Sequence, residues 1–307
     1  MRKTVIAATI AVLSVAAVSI GFSSPAGASS PSVIDLPDGN SPNGLAPEGI
    51  VSGDGNTFYT GSLTTGQIVV GDYKSGETAY LVTNPVVAPS VGLAYDNATK
   101  LLWAAGGPSG SAAVYDSRTG SAVNIYDFGG GFVNDAIVAG DSVFFTDSFA
   151  PVLYRVAADG SDGVDVISLS GPAADFVQDF NINGIEVTAD GKTLILVNTA
   201  KGELYTVNPE SGESASIDLG GEFVSSGDGI LLEGRTLYVM QNSLNQIAKI
   251  KLSGDLTSGQ IVDTITDPAF NIPTTIASKG SKIAAVNAVD FGQSPFDDYT
   301  VVLVDKN

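Results

Sequence analysis

Six times along the chain a short motif opens a run of strand-forming residues, and its spacing constrains the fold more than any other feature. The copies begin at Pro47-Glu48-Gly49-Ile50, Val91-Gly92-Leu93, Asn134-Asp135-Ala136, Asn183-Gly184-Ile185, Asp228-Gly229-Ile230 and Thr274-Thr275-Ile276. Each is followed by two or three further runs of Val, Ile, Leu, Tyr and Thr, divided by Gly, Asp, Asn and Ser turns. Measured at the glycine position (49, 92, 135, 184, 229, 275), the copies lie 43, 43, 49, 45 and 46 residues apart. A four-stranded propeller blade takes roughly 40–50 residues, and no stretch of 29–307 has helical periodicity. The pattern predicts an all-β, six-bladed β-propeller with four-stranded blades. A β-sandwich would give no reason for this register.

The two ends bear on closure. Copies one to five each carry a fourth, outer run, such as 78–82 or 214–219, whereas the sixth stops at Asn307 without one. Ser32-Val33-Ile34-Asp35-Leu36 is a spare strand of the right length. Pairing it beside 301–304 would complete the sixth blade and remove an open sheet edge.

Before that strand, Arg2 and Lys3, an apolar run over 5–22 and Ala26-Gly27-Ala28 read as a secretory signal with a small-x-small cleavage site. The expected organisation is a signal peptide over 1–28 and one propeller domain over 29–307, secreted and free of the membrane after cleavage. Without residues 1–28 the chain keeps 12 basic and 33 acidic residues, a net charge of −21. Such a surface repels nucleic acid and anionic lipid and concentrates cations. A small-molecule substrate and a monomeric state are expected instead. The sequence contains neither histidine nor cysteine. Imidazole bases, Ser-His-Asp and Cys-His triads and ordinary zinc sites are therefore impossible, and any metal must be held by oxygen.

In a propeller the innermost strands converge on the axis. The residues just before the glycine position, Glu48, Val91, Asn134, Asn183, Asp228 and Thr274, are then neighbours in space. Glu48, Asn134, Asn183 and Asp228 form a set of hard oxygen donors suited to calcium, which takes 6–8 such ligands; another divalent cation is the alternative. In blade three Asn134 is the expected metal contact, with Asp135 orienting it from behind. Asn-Gly and Asp-Gly are also ordinary turn signals, but Glu48 is not a turn former. Phe132, Phe180, Phe223 and Phe270 fall a few residues before inner strands. Two uses stand open for them: an apolar collar, with Phe132 and Phe180 as substrate contacts, or packing between blades. Asp290, Asp297 and Asp298 lie in the long loop of the last copy, as solvated acids or as part of a lid.

Over roughly 45–305 the chain resembles the senescence marker protein/gluconolactonase (regucalcin-like) propellers, relatives in architecture of diisopropylfluorophosphatase and paraoxonase. The resemblance runs through Pro47-Glu48-Gly49, Val133-Asn134-Asp135, Asn183-Gly184-Ile185 and Gly227-Asp228-Gly229. It implies a divalent cation, usually calcium, on Glu48, Asn183 and Asp228, with Asn134 touching metal or substrate and Asp228 doubling as base or nucleophile. The family's usual Gly-Glu-Gly-Pro opening is Pro47-Glu48-Gly49-Ile50 here, and the arginine that reads a sugar acid has no counterpart. The expected activity is a secreted, calcium-dependent hydrolase of lactones or related esters. The alternatives are a non-catalytic binding propeller with structural calcium and a metal-free enzyme resembling strictosidine synthase.

Overall fold

The computed structural model describes residues 31–37, 44–293 and 298–307. The expected signal segment and Asp297 lie outside them. Six four-stranded antiparallel sheets follow one another in chain order. Their inner strands are Pro47–Ser52, Leu93–Asp96, Val133–Ala139, Ile182–Val187, Gly227–Glu233 and Pro273–Lys279. Blades one to five each run outward without crossovers, ending at Thr78–Val82, Ala122–Asp127, Asp165–Ser168, Ser214–Ser216 and Gly259–Thr266. This is the six-bladed propeller that the repeat predicts.

The sixth blade is assembled from both ends of the chain. Val33–Asp35 pairs antiparallel with Thr300–Asp305, placing Val33 opposite Val302, Ile34 opposite Val301 and Asp35 opposite Thr300. Ile34 is buried in a cluster with Ile50, Phe58, Tyr73 and Val301, so the closing strand joins the core shared by blades six and one. The remaining apolar clusters likewise lie between adjacent blades; Trp103 and Phe145, for example, pack across blades two and three.

The recurrent glycine is explained by this packing. A Cβ on Gly49 would stand 2.3 Å from the Val91 carbonyl oxygen, and one on Gly184 2.3 Å from that of Asp228. Neighbouring inner strands touch backbone to backbone at these glycines, leaving no room for a side chain there, whereas blades three and six carry Asp135 and Thr275 at the same position. Register shifts fall at the same place in five inner strands, between Pro47 and Ile50, Val133 and Ala136, Ile182 and Ile185, Gly227 and Ile230, and Pro273 and Ile276. A bulge re-aims the side chains it contains. The two residues in each bulge are the motif's donor position and its glycine position.

Candidate metal centre at the channel mouth

Glu48, Asn134, Asn183 and Asp228 are all buried, each within the bulge of its inner strand. In blade two the equivalent place holds Val91, which brings no donor. In blade six Thr274 spends its hydroxyl on the Glu48 carbonyl oxygen (2.7 Å), linking blade six to blade one.

The hydrogen bonding of the donors is one-sided. Asn134 donates through Nδ2 to Ser148 Oγ (2.8 Å), and Ser148 Oγ donates to the Ile182 carbonyl in the next blade (2.7 Å). Asn242 donates through Nδ2 to Asp228 Oδ2 (2.7 Å). Each arrangement leaves an acceptor unused: Asn134 Oδ1, Asp228 Oδ1 and Glu48 Oε2 are buried and have no hydrogen-bond partner. Three orphaned acceptors on three blades are costly, because a buried polar atom without a partner forfeits its hydration.

The electrostatics agree. Burial pushes the Glu48 carboxyl well above its ordinary range, and the nearby charges of Asp228 and Asp135 push it further. Asp228 is raised to about 7, chiefly by burial and also by Asp135, against the hydrogen bond from Asn242 that favours its charged form. The acids of blades one, three and five therefore share one electrostatic field. Asp135 is itself raised to about 7 by burial. Its carboxylate accepts from the backbone N–H of Ala136 (2.8 Å) and Ile185 (3.4 Å), so it braces blade three against blade four and reaches the donors through its charge. Deeper in the channel a cavity of about 180 Å³ is lined by Asp135, Glu186, Thr275 and Ser278, among others. Glu186 is raised to about 8, mainly by desolvation.

A cation fits this donor set. Positive charge beside such orphaned oxygens would satisfy them and favour the ionised carboxylates. Among the described residues no three Asp or Glu side chains gather at metal-binding spacing. Any ion would thus lean on the two carboxamides as well as on Glu48 and Asp228, which suits a hard, oxygen-seeking ion.

The four phenylalanines divide. Phe270 is buried in the core between blades five and six. Phe223 is exposed and lines a separate hollow with Leu204, Ile217 and Leu219. Phe132 and Phe180 meet edge to face at 5.0 Å, and Phe149 joins both, at 5.8 and 4.8 Å. Sequence register missed Phe149, Ser148 and Asn242. All three follow the second strand of a blade and carry no repeat signal of their own. In the last copy's loop, Asp290 accepts from the Gln293 backbone N–H (2.9 Å), binding that loop to itself.

The chain matches no protein-family model and no curated protein. Solved structures do match. The major allergen Mala s 1 of Malassezia sympodialis aligns over 90% of this chain and 97% of its own, with a TM-score of 0.69 and 17% identity. A streptogramin B lyase aligns over 89% and 97%, with a TM-score of 0.58 and 12% identity. A catalytically inactive virginiamycin B lyase from Staphylococcus aureus, solved with quinupristin, aligns over 89% and 98%, with a TM-score of 0.57 and 12% identity. At such identities the likeness extends to the fold: this chain is a six-bladed β-propeller of an architecture that also carries a lyase.

Proposed function

We propose that this protein binds calcium at the channel mouth through Glu48, Asn134, Asn183 and Asp228 and hydrolyses lactones or related esters there. The observation that carries the reading is the set of three buried, unpartnered acceptors, Glu48 Oε2, Asn134 Oδ1 and Asp228 Oδ1, brought from three blades. The regucalcin-like motifs of the sequence and the apolar expected signal segment support a secreted member of that broad group. Bound calcium would act as a Lewis acid on the scissile carbonyl. Asp228, whose Oδ2 accepts from Asn242 and whose Oδ1 is unpartnered, would take a proton from water or attack the carbonyl itself. As base, it would pass that proton to the departing alkoxide, so an ester gives acid and alcohol and a lactone one hydroxy acid. As nucleophile, it would expel the alkoxide, which takes a proton from water, and form an acyl anhydride that a second water hydrolyses. Either route regenerates the carboxylate. Glu48 supplies charge to the ion, while Ser148 fixes the Asn134 carboxamide so that its oxygen remains available.

The test joins two measurements on the purified protein. Calcium titrated calorimetrically into chelator-stripped protein should bind at one site, and a panel of lactones and phosphotriesters should show turnover that chelator abolishes. Absence of calcium binding removes the reading altogether. Tight binding without turnover on a broad panel leaves the non-catalytic propeller, whose calcium stiffens the convergence of inner strands.

A further inference from the structure

We propose that the rim beside the candidate metal centre is a recognition site for an organic cation, an alkylammonium group held against the rings of Phe149 and Phe180. The proposal depends neither on bound calcium nor on hydrolysis.

Phe149 and Phe180 are 54% and 39% exposed, although each touches the other and Phe132. Aromatic rings left in water are unfavourable unless something covers them. These rings are nevertheless held in place by buried polar groups. Asp147, fully buried, accepts through Oδ1 from the backbone N–H of Phe149 (2.8 Å) and Phe132 (3.2 Å), and through Oδ2 from the Tyr154 hydroxyl (2.9 Å). On the facing blade, buried Asn181 accepts from the Val177 N–H (2.8 Å) and donates to the carbonyls of Val177 (2.9 Å) and Asp179 (2.7 Å). Both loops are thus clamped from below, and the exposed rings are preorganised, which lowers the cost of binding.

Charge selects the occupant. Phe149, Phe180, Val177, Gln178 and Asp179 line one open hollow of about 460 Å³. In the described loops of this face the single basic residue is Lys201, already paired with Asp175 at 2.7 Å. The same loops carry Asp179, Glu222, Asp267 and Asp290. An anion is repelled, and a neutral apolar group makes no use of Asp179. An ammonium group uses both the negative ring faces and the carboxylate. In an edge-to-face pair such as Phe132 and Phe180, at 85°, the ring that offers its edge keeps its faces clear of its partner.

The site adjoins the candidate metal centre. Ser148, which holds Asn134, immediately precedes Phe149, and its backbone N–H donates to the Phe132 carbonyl (3.0 Å). A ligand seated on the rings therefore lies beside the donor ring.

The probe is choline, with its neutral isostere 3,3-dimethylbutan-1-ol as comparator, titrated into the full-length protein and followed by saturation transfer to the methyl protons. Choline should bind at least about tenfold more tightly than the alcohol, and equally well with chelator present. Phe149→Leu, which keeps apolar bulk but removes the π face, should weaken choline about tenfold, and Phe180→Ala similarly. Asp179→Asn should weaken it severalfold, whereas Phe223→Ala, an exposed ring elsewhere, should change nothing. Circular dichroism melts establish that the variants remain folded. Equal affinity for the alcohol would reduce the site to a plain apolar patch and overturn the proposal. Choline affinity unchanged in Phe149→Leu and Phe180→Ala would do so as well, since the cation would then sit among the carboxylates.

Discussion

Asn242 holds one oxygen of Asp228 and leaves the other without a hydrogen-bond partner, so the two acids of the proposed centre are not equivalent. Glu48 has no comparable partner; its unpartnered Oε2 sits in the field of Asp228 and Asp135. Their substitutions should accordingly separate binding from chemistry. Asp228→Asn keeps an oxygen donor and the shape of the side chain but removes the base or nucleophile. Turnover of the best lactone should fall by about two orders of magnitude or more, while a measurable share of the calcium affinity survives. Glu48→Gln removes charge from the ion and leaves Asp228 in place. It should weaken calcium by about tenfold or more, with turnover partly recovered in excess metal. Calorimetry and initial rates on the two variants decide. Wild-type turnover in calcium-saturated Asp228→Asn ends the catalytic role assigned to that residue.

The element that closes the ring is three residues long, and one of its side chains carries most of its packing. Ile34 is buried against blades six and one, whereas Val33 on the opposite face is more than a third exposed. Ile34→Ala should lower stability by about 2–5 kcal/mol, the usual range for removing a buried isoleucine side chain, and Val33→Ala by well under half of that. Thermal melts of the two variants suffice, and equal losses would mean that the strand adds hydrogen bonds but no core. Deleting 29–37 should in addition expose the edge of Thr300–Asp305 and promote aggregation. This strand was legible in the sequence because the sixth copy lacks a fourth run and Ser32–Leu36 supplies one. The repeat was legible because backbone contact between inner strands requires glycine at that level in four of the six blades, at Gly49, Gly92, Gly184 and Gly229. The bulges left no such trace, since a bulge is a pairing relation between two strands and either strand alone reads as regular. For the same reason Ser148, Phe149 and Asn242 escaped the reading. They reach the mouth from the ends of second strands, where neither spacing nor residue type repeats from blade to blade.

At the scale of the molecule, the convergence of six inner strands places Glu48, Asp135, Asp228 and Glu186 along one axis, and this sets how stability should respond to pH. In the unfolded chain these groups ionise near the ordinary carboxylate values of about 4. In the folded, metal-free protein Asp135 and Asp228 hold their protons up to about 7, Glu186 up to about 8, and Glu48 well above its usual range. Between those limits the folded state binds more protons than the unfolded state, so stability falls as pH rises from about 4 to about 8. Glu186 is half-buried and weighs less in this than Asp135 and Asp228, which are closed off from solvent. Surface acids such as Asp54, Asp96 and Asp116, which are lowered by their partners, act in the opposite sense and only as pH falls through the acid range. The chelator-stripped protein should therefore melt several degrees higher at pH 5 than at pH 7.5. Calcium should recover the loss at pH 7.5 and do little at pH 5, where protons already occupy the acids. Repulsion among the surface charges of so acidic a chain predicts a fall of the same sign, but salt separates the two causes. About 0.5 M sodium chloride screens the surface contribution and leaves the buried one largely intact. Asp135→Asn should flatten the remaining slope at that salt concentration. If salt alone abolishes the pH dependence, or the metal-free protein melts higher at pH 7.5 than at pH 5, the channel acids do not govern stability as the geometry requires.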